Sequence, residues 1–198
     1  MGGARPKAVV EDKDGLWIAK FNRADDKWNQ ARVEHTMLVE DTFQSRDNWS
    51  YVSLVEELRR ISEEPEKDAA ELFRRMCFNA LISNTDDHPR NHAFIAKDKN
   101  WRLSPAYDLT PFTPISNERR DLAMICGDQG RFANADNLFS QHARFLLKDE
   151  QAKSILLNME NFIKNNWYNI ARAEGVSEID CEKIASAFVY PGFRLSEK

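Results

Sequence analysis

The chain changes rhythm twice, and the changes outline its architecture. Over residues 8 to 21 two short β-rich runs flank a turn. Ala8-Val9-Val10-Glu11 is followed by Asp14-Gly15 and then by Leu16-Trp17-Ile18-Ala19-Lys20-Phe21, which predicts a β-hairpin. Residues 22 to 30 are polar and read as a loop. Val33, Met37 and Leu38 then sit at a spacing that predicts one or two helical turns over 31 to 39. Residues 41 to 50 break the pattern and read as a loop.

From there the period is mostly helical. Leu54, Val55, Leu58 and Ile61 predict a helix over Ser50 to Ser62. Glu66 to Ile82 turns almost wholly apolar from Met76 onward, as a buried central helix would. The polar run Ser83 to His92 follows, then two short strands, Ala93 to Ala96 and Trp101 to Leu103, about a Lys97-Asp98-Lys99-Asn100 turn. Helices are predicted over Ala135 to Leu147 and over Asp149 to Glu174, the latter stopped by Gly175. Ser177 with Asp180 marks the start of a last helix ending near Val189. No internal repeat and no low-complexity segment interrupts this order.

Composition narrows the class. The 198 residues include 12 Phe and 5 Trp, enough for a real core. The net charge of −4 gives no global electrostatic case for nucleic-acid binding. No apolar run approaches a membrane span, and the N-terminus carries no apolar signal region. Cys77, Cys126 and Cys181 are odd in number and far apart, so buried thiols in a reducing, cytoplasmic setting are expected.

The segment from Asn84 to Asp108 carries the chemistry. Two Asp, two His, two Asn and an Arg crowd into nine residues after a buried helix, and a hairpin leads on to Asp108. Asn91 follows Asp86 by five residues. Phosphoryl transfer needs a carboxylate to take the attacking hydroxyl's proton, and an amide oxygen with a second carboxylate to hold Mg²⁺, which prefers hard oxygen ligands. The kinase catalytic loop has the form Asp, four residues, Asn, with a metal-binding Asp on the next hairpin. Asp86, Asn91 and Asp108 fit that form, and His88 or Arg90 could face the transferred phosphate. Two other readings stay open. Asn, Thr, Asp and Pro also favour solvated turns. A metal hydrolase could use His88 and His92 with Asp86, Asp87 and Asp108, although Pro89 makes one helical face for both His difficult.

Asn79-Ala80-Leu81-Ile82-Ser83-Asn84-Thr85-Asp86-Asp87-His88-Pro89-Arg90-Asn91-His92 resembles the catalytic loop of HipA-family serine/threonine kinases, the toxins of HipA–HipB toxin–antitoxin pairs. Pro105-Ala106-Tyr107-Asp108-Leu109 resembles the family's metal-binding motif. Gly2-Gly3-Ala4-Arg5-Pro6-Lys7 is similar to its glycine-rich phosphate segment, and Trp17-Ile18-Ala19-Lys20-Phe21 to the strand with the nucleotide-binding lysine. Glu34 looks like that lysine's partner.

The resemblance implies an α+β, protein-kinase-like fold: an N-lobe fragment over 1–40, a shortened linker over 41–48 and a helical C-lobe over 49–198. It implies Asp86 as catalytic base with His88 and Arg90 beside it, and Asn91 and Asp108 as Mg²⁺ ligands. Gly2, Gly3, Lys7, Lys20 and Glu34 would serve ATP. It also implies a HipB-like helix-turn-helix antitoxin and a protein substrate, in some relatives an aminoacyl-tRNA synthetase. One departure is physical. Only Asp41 to Ser45 stand where the family has further N-lobe strands and the adenine-contacting hinge, and five residues cannot make these. An N-lobe of about one hairpin is therefore expected. Beside an active short kinase this leaves two alternatives: an inactive, binding-only remnant, or one chain of a split kinase.

Overall fold

The computed structural model describes residues 9–12, 15–18, 29–32, 45–97, 100–113 and 116–196. Strands β1 (Val9–Asp12) and β2 (Gly15–Ile18) pair antiparallel, Val9 opposite Ile18, as the hairpin pattern predicts. Strand β3 (Asn29–Arg32) joins a second sheet with β4 (Ala93–Lys97) and β5 (Asn100–Leu103), in the order β3-β4-β5, all antiparallel. The loop expected over 22 to 30 is corrected for Asn29 and Gln30, which pair with Ala96 and Ile95, and the helical turns expected from residue 31 are corrected for Ala31 and Arg32. Those residues pair with Phe94 and Ala93 instead. An Asn-Gln-Ala-Arg segment has little strand propensity of its own, and the ladder to β4 overrides it.

Helix α1 (Tyr51–Ile61) starts where Ser50 accepts hydrogen bonds from the Val52 and Ser53 amides, satisfying two donors that a helix start leaves open. Its inward positions Leu54, Val55 and Leu58 are fully buried. Helix α2 (Pro65–Leu81) opens on a proline, whose missing N–H costs nothing there. Leu72, Phe73, Met76, Cys77, Ala80 and Leu81 give it the predicted central position in the core. Phe73 meets Phe145 edge-on, with ring centroids 5.3 Å apart. The three thiols are buried, and burial pushes Cys126 up to about 12, so they pack as small apolar groups.

The helix expected over Ala135 to Leu147 is divided. Helix α3 (Ala135–Ser140) ends at Gln141, and a 3-10 turn covers His142–Phe145. The Ser140 hydroxyl takes the Asn137 carbonyl at 2.6 Å, and the His142 ring stacks on Phe139 with its Nδ1 2.8 Å from the Phe139 carbonyl. Side chains that bond the backbone locally compete with helix continuation in this way. Helix α4 (Asp149–Ala173) runs to Gly175, which takes a φ of 86°. Helix α5 (Glu178–Ile184) starts at the Ser177 cap and tightens into a 3-10 turn at Ala185–Ala187, short of the Val189 end expected. No helix among the described residues is long and apolar enough to cross a membrane.

An ion pair between buried Asp68 and half-buried Arg102 fixes the β4–β5 hairpin to α2. Asp68 accepts from Arg102 Nε (3.0 Å) and Nη2 (2.9 Å), from the Ser62 hydroxyl (2.7 Å) and from the Leu103 amide (3.0 Å). Burial works against the charge, but these donors outweigh it and hold the carboxyl below its ordinary value of 3.8. A depressed native value means that the unfolded chain protonates first. The stabilisation is therefore present above pH 3.8 and is lost as pH falls through the native value. Asp68→Asn is expected to lower the urea midpoint at pH 7, with the gap to wild type closing below pH 3.8. An equal gap at pH 7 and pH 3 would contradict this sign.

Candidate functional site

The acidic loop is built at the C-terminal end of α2. Ser83 leaves the helix in the left-handed region, at φ 56°, which a residue with a Cβ adopts only when its surroundings impose it. Those surroundings are visible. The Ser83 hydroxyl donates to the Ala187 carbonyl at 2.6 Å and accepts from Arg120. Arg120 also holds the Ser186 carbonyl at 2.8 Å and lies 4.3 Å over the Tyr190 ring. The Val189 amide closes the C-terminal segment onto the Leu81 carbonyl at 2.8 Å. Asp108 is the second residue of the site in the left-handed region, at φ 58°.

Consecutive acids take opposite directions. Asp86 is exposed, whereas Asp87 is 1% exposed. The Asn91 amide donates to the Asp86 carbonyl at 3.4 Å, so the pair five residues apart is brought together across the 3-10 turn Pro89–Asn91. His88 and Arg90 share one neighbour. The His88 ring stands edge-on to Trp49 at 6.3 Å, and the Arg90 guanidinium lies 6.0 Å from the same indole. Asp108 returns beside the loop by two bonds: Asn84 donates to the Asp108 carbonyl at 3.2 Å, and the Tyr107 hydroxyl donates to the Arg90 carbonyl at 2.8 Å. The Asp86 and Asp108 side chains both face solvent. Gly2, Gly3, Lys7, Lys20 and Glu34 lie outside the described residues.

Three residues to which the sequence pattern gave no chemical role, Tyr51, Asn79 and Asn84, form the site's foundation together with Asp87 and His92, which it named only for a metal hydrolase. Asp87 accepts from the Tyr51 hydroxyl and from His92 Nε2, the latter at 3.0 Å. Tyr51 accepts from Asn79 at 3.1 Å, and Asn79 accepts from Asn84 at 3.1 Å. The available signal was a carboxylate and a histidine five apart where a buried helix meets a buried strand, since such groups stay buried only when they are bonded. This geometry counts against the metal-hydrolase reading. Asp87 and His92 are spent on each other in the core, and no group of three His, Cys, Asp or Glu among the described residues is arranged to hold a metal.

A mainly helical lobe with a short antiparallel hairpin between an acidic loop and a second aspartate defines an α+β, kinase-like C-lobe. Residues 36–167 match the family model described as the HipA-like C-terminal domain. The chain belongs to that family. A Haemophilus influenzae protein named "Putative kinase" is 27% identical over 161 residues, covering 74% of this chain and 47% of its own length. A chain of the Shewanella oneidensis MR-1 toxin–antitoxin complex of HipA, HipB and operator DNA superposes with a TM-score of 0.63 at 16% identity. That match covers 92% of this chain and 48% of the other. The chain spans about half the length of both relatives.

Proposed function

We propose that this chain is the phosphoryl-transfer lobe of a HipA-like serine/threonine kinase that phosphorylates a protein substrate from ATP and Mg²⁺. The observation that carries the reading is the juxtaposition of the loop bearing Asp86 and Asn91 with the Asp108 segment. Loop and hairpin are tied by the Asn91, Asn84 and Tyr107 bonds, with two exposed carboxylates left at the surface. The donor chemistry fits the metal. Asn91 donates through its amide nitrogen, which leaves Oδ1 as the hard ligand, and Asp108 adds a carboxylate. Bound there, Mg²⁺ would neutralise charge on the phosphate oxygens. Asp86 would accept the proton of the attacking hydroxyl. His88 and Arg90, set against Trp49, would face the transferred group. By resemblance, Lys20 with Glu34 and the Gly2-Gly3 to Lys7 segment would serve the nucleotide phosphates.

The partner proposed is a HipB-like helix-turn-helix antitoxin, in keeping with the Shewanella complex, and the setting a cytoplasmic toxin–antitoxin pair. The test is transfer from γ-labelled ATP to the chain itself, with Mg²⁺ and with EDTA. Label that requires the metal is expected. No label in either condition overturns the kinase reading and leaves the binding-only or split-kinase alternatives.

A further inference from the structure

We propose that the buried hydrogen-bonded relay Asp87–Tyr51–Asn79–Asn84 is a positioning device that sets the Asp86 loop and the Asp108 backbone relative to each other. Asn84 and Asp87 are then positioning residues. The inference rests on the kinase reading for its catalytic consequence, but its structural half stands without it.

The relay is continuous. It begins at His92, where β4 starts, passes through Asp87 to Tyr51 on α1, returns through Asn79 on α2 to Asn84, and ends on the Asp108 carbonyl. Tyr51 and Asn79 are fully buried, and Asn84, Asp87 and His92 are at most 3% exposed. Buried polar groups that lose a partner bear the full desolvation cost, so each link holds the next in place.

The placement of the two ends is what suggests more than packing. Asp87 is the immediate neighbour of Asp86, so anchoring one carboxylate in the core aims the other outward. Asn84 bonds the peptide carbonyl of Asp108, a residue that takes the left-handed conformation. No link of the relay uses the Asp86 or Asp108 carboxylate, so both stay available. An apolar core of the same volume would hold the helices together. It would not hold the separation of the two loops, because only directional bonds do that.

The test is Asn84→Asp, which keeps the shape but sets an acceptor against the Asp108 carbonyl and Asn79 Oδ1. Tyr51→Phe, two links away, is the gentler variant should the first fold poorly. Amide hydrogen exchange is read across the whole 198-residue chain, together with the maximal rate of self-labelling from γ-labelled ATP and the half-saturating ATP concentration. Exchange of the hydrogen-bonded Thr85, His88, Asn91 and Phe112 amides is expected to rise about tenfold or more, with α4 unchanged. The maximal rate should fall about 10- to 100-fold, while half-saturating ATP stays within about threefold.

Exchange that is unchanged at the Phe112 and loop amides, or that rises equally throughout the chain, overturns the proposal. A locally loosened variant that labels itself at the wild-type rate also overturns it. A wild-type chain that takes no label overturns the kinase reading instead, and the exchange comparison then still decides whether the relay couples the two loops.

Discussion

Asp86→Ala is expected to reduce transfer from ATP about 10²- to 10⁴-fold, the range a positioned general base supplies, and to leave the fold intact. The two halves of this expectation come from one observation. The Asp86 side chain is exposed, and the structure gives its carboxylate no hydrogen bond among the described residues. What holds the loop is the residue's backbone carbonyl, which takes the Asn91 amide and the His88 N–H, and alanine keeps that carbonyl. The thermal midpoint should therefore stay within about a degree or two of wild type, as for an exposed surface substitution. Asp87→Ala, one residue on, should behave in the opposite sense. It strips the acceptor from Tyr51 and His92 in the core, and the chain should unfold at lower denaturant. Rapid-quench labelling beside a urea titration of both variants separates the two acids. An Asp86→Ala chain that labels at the wild-type rate would remove Asp86 from the chemistry.

The contrast between these neighbours shows what could be read from the chain and what could not. Period and caps sufficed where structure is local. Leu54, Val55 and Leu58 gave α1, the apolar run after Met76 gave α2, and Gly175 and Ser177 marked the end of α4 and the start of α5. The Asp–x₄–Asn spacing was legible too, because it belongs to one loop. Strand β3 was not, since Asn29–Arg32 becomes a strand only by pairing with β4, more than sixty residues away. The division after Ser140 was hidden for a similar reason. It depends on side chains taking backbone carbonyls that a continued helix would need. The relay under the site was hidden most deeply. Asp86 and Asp87 are identical letters, and the partners in the core, Tyr51, 36 residues before Asp87, and His92, go with the burial of the second.

The largest stability effect should come far from the acidic loop, at Asn137. Asn137→Ala is expected to cost about 3–5 kcal/mol, read as a shift of the urea midpoint. The side chain is completely buried in α3, and all of its polar atoms are used. Its nitrogen donates to the Phe132 carbonyl (2.8 Å), the Gly130 carbonyl (3.1 Å) and the Cys126 thiol (3.3 Å), and its oxygen accepts from the Gln129 amide at 2.6 Å. One amide thus closes the 126–132 turn onto the helix. Gly127 makes the approach possible, since a Cβ there would lie 1.9 Å from the Asn137 carbonyl. Alanine would leave the Gln129 N–H without its acceptor, take one donor each from the Cys126 thiol and from the Phe132 and Gly130 carbonyls, which keep the Asn134 and Cys126 amides, and open a void as well. Asn137→Asp isolates the cause. It keeps the volume but sets a carboxylate oxygen against two carbonyls, so it should destabilise at least as much as alanine does. An aspartate variant within about 1 kcal/mol of wild type would show that shape, and not the amide's donors, holds this turn.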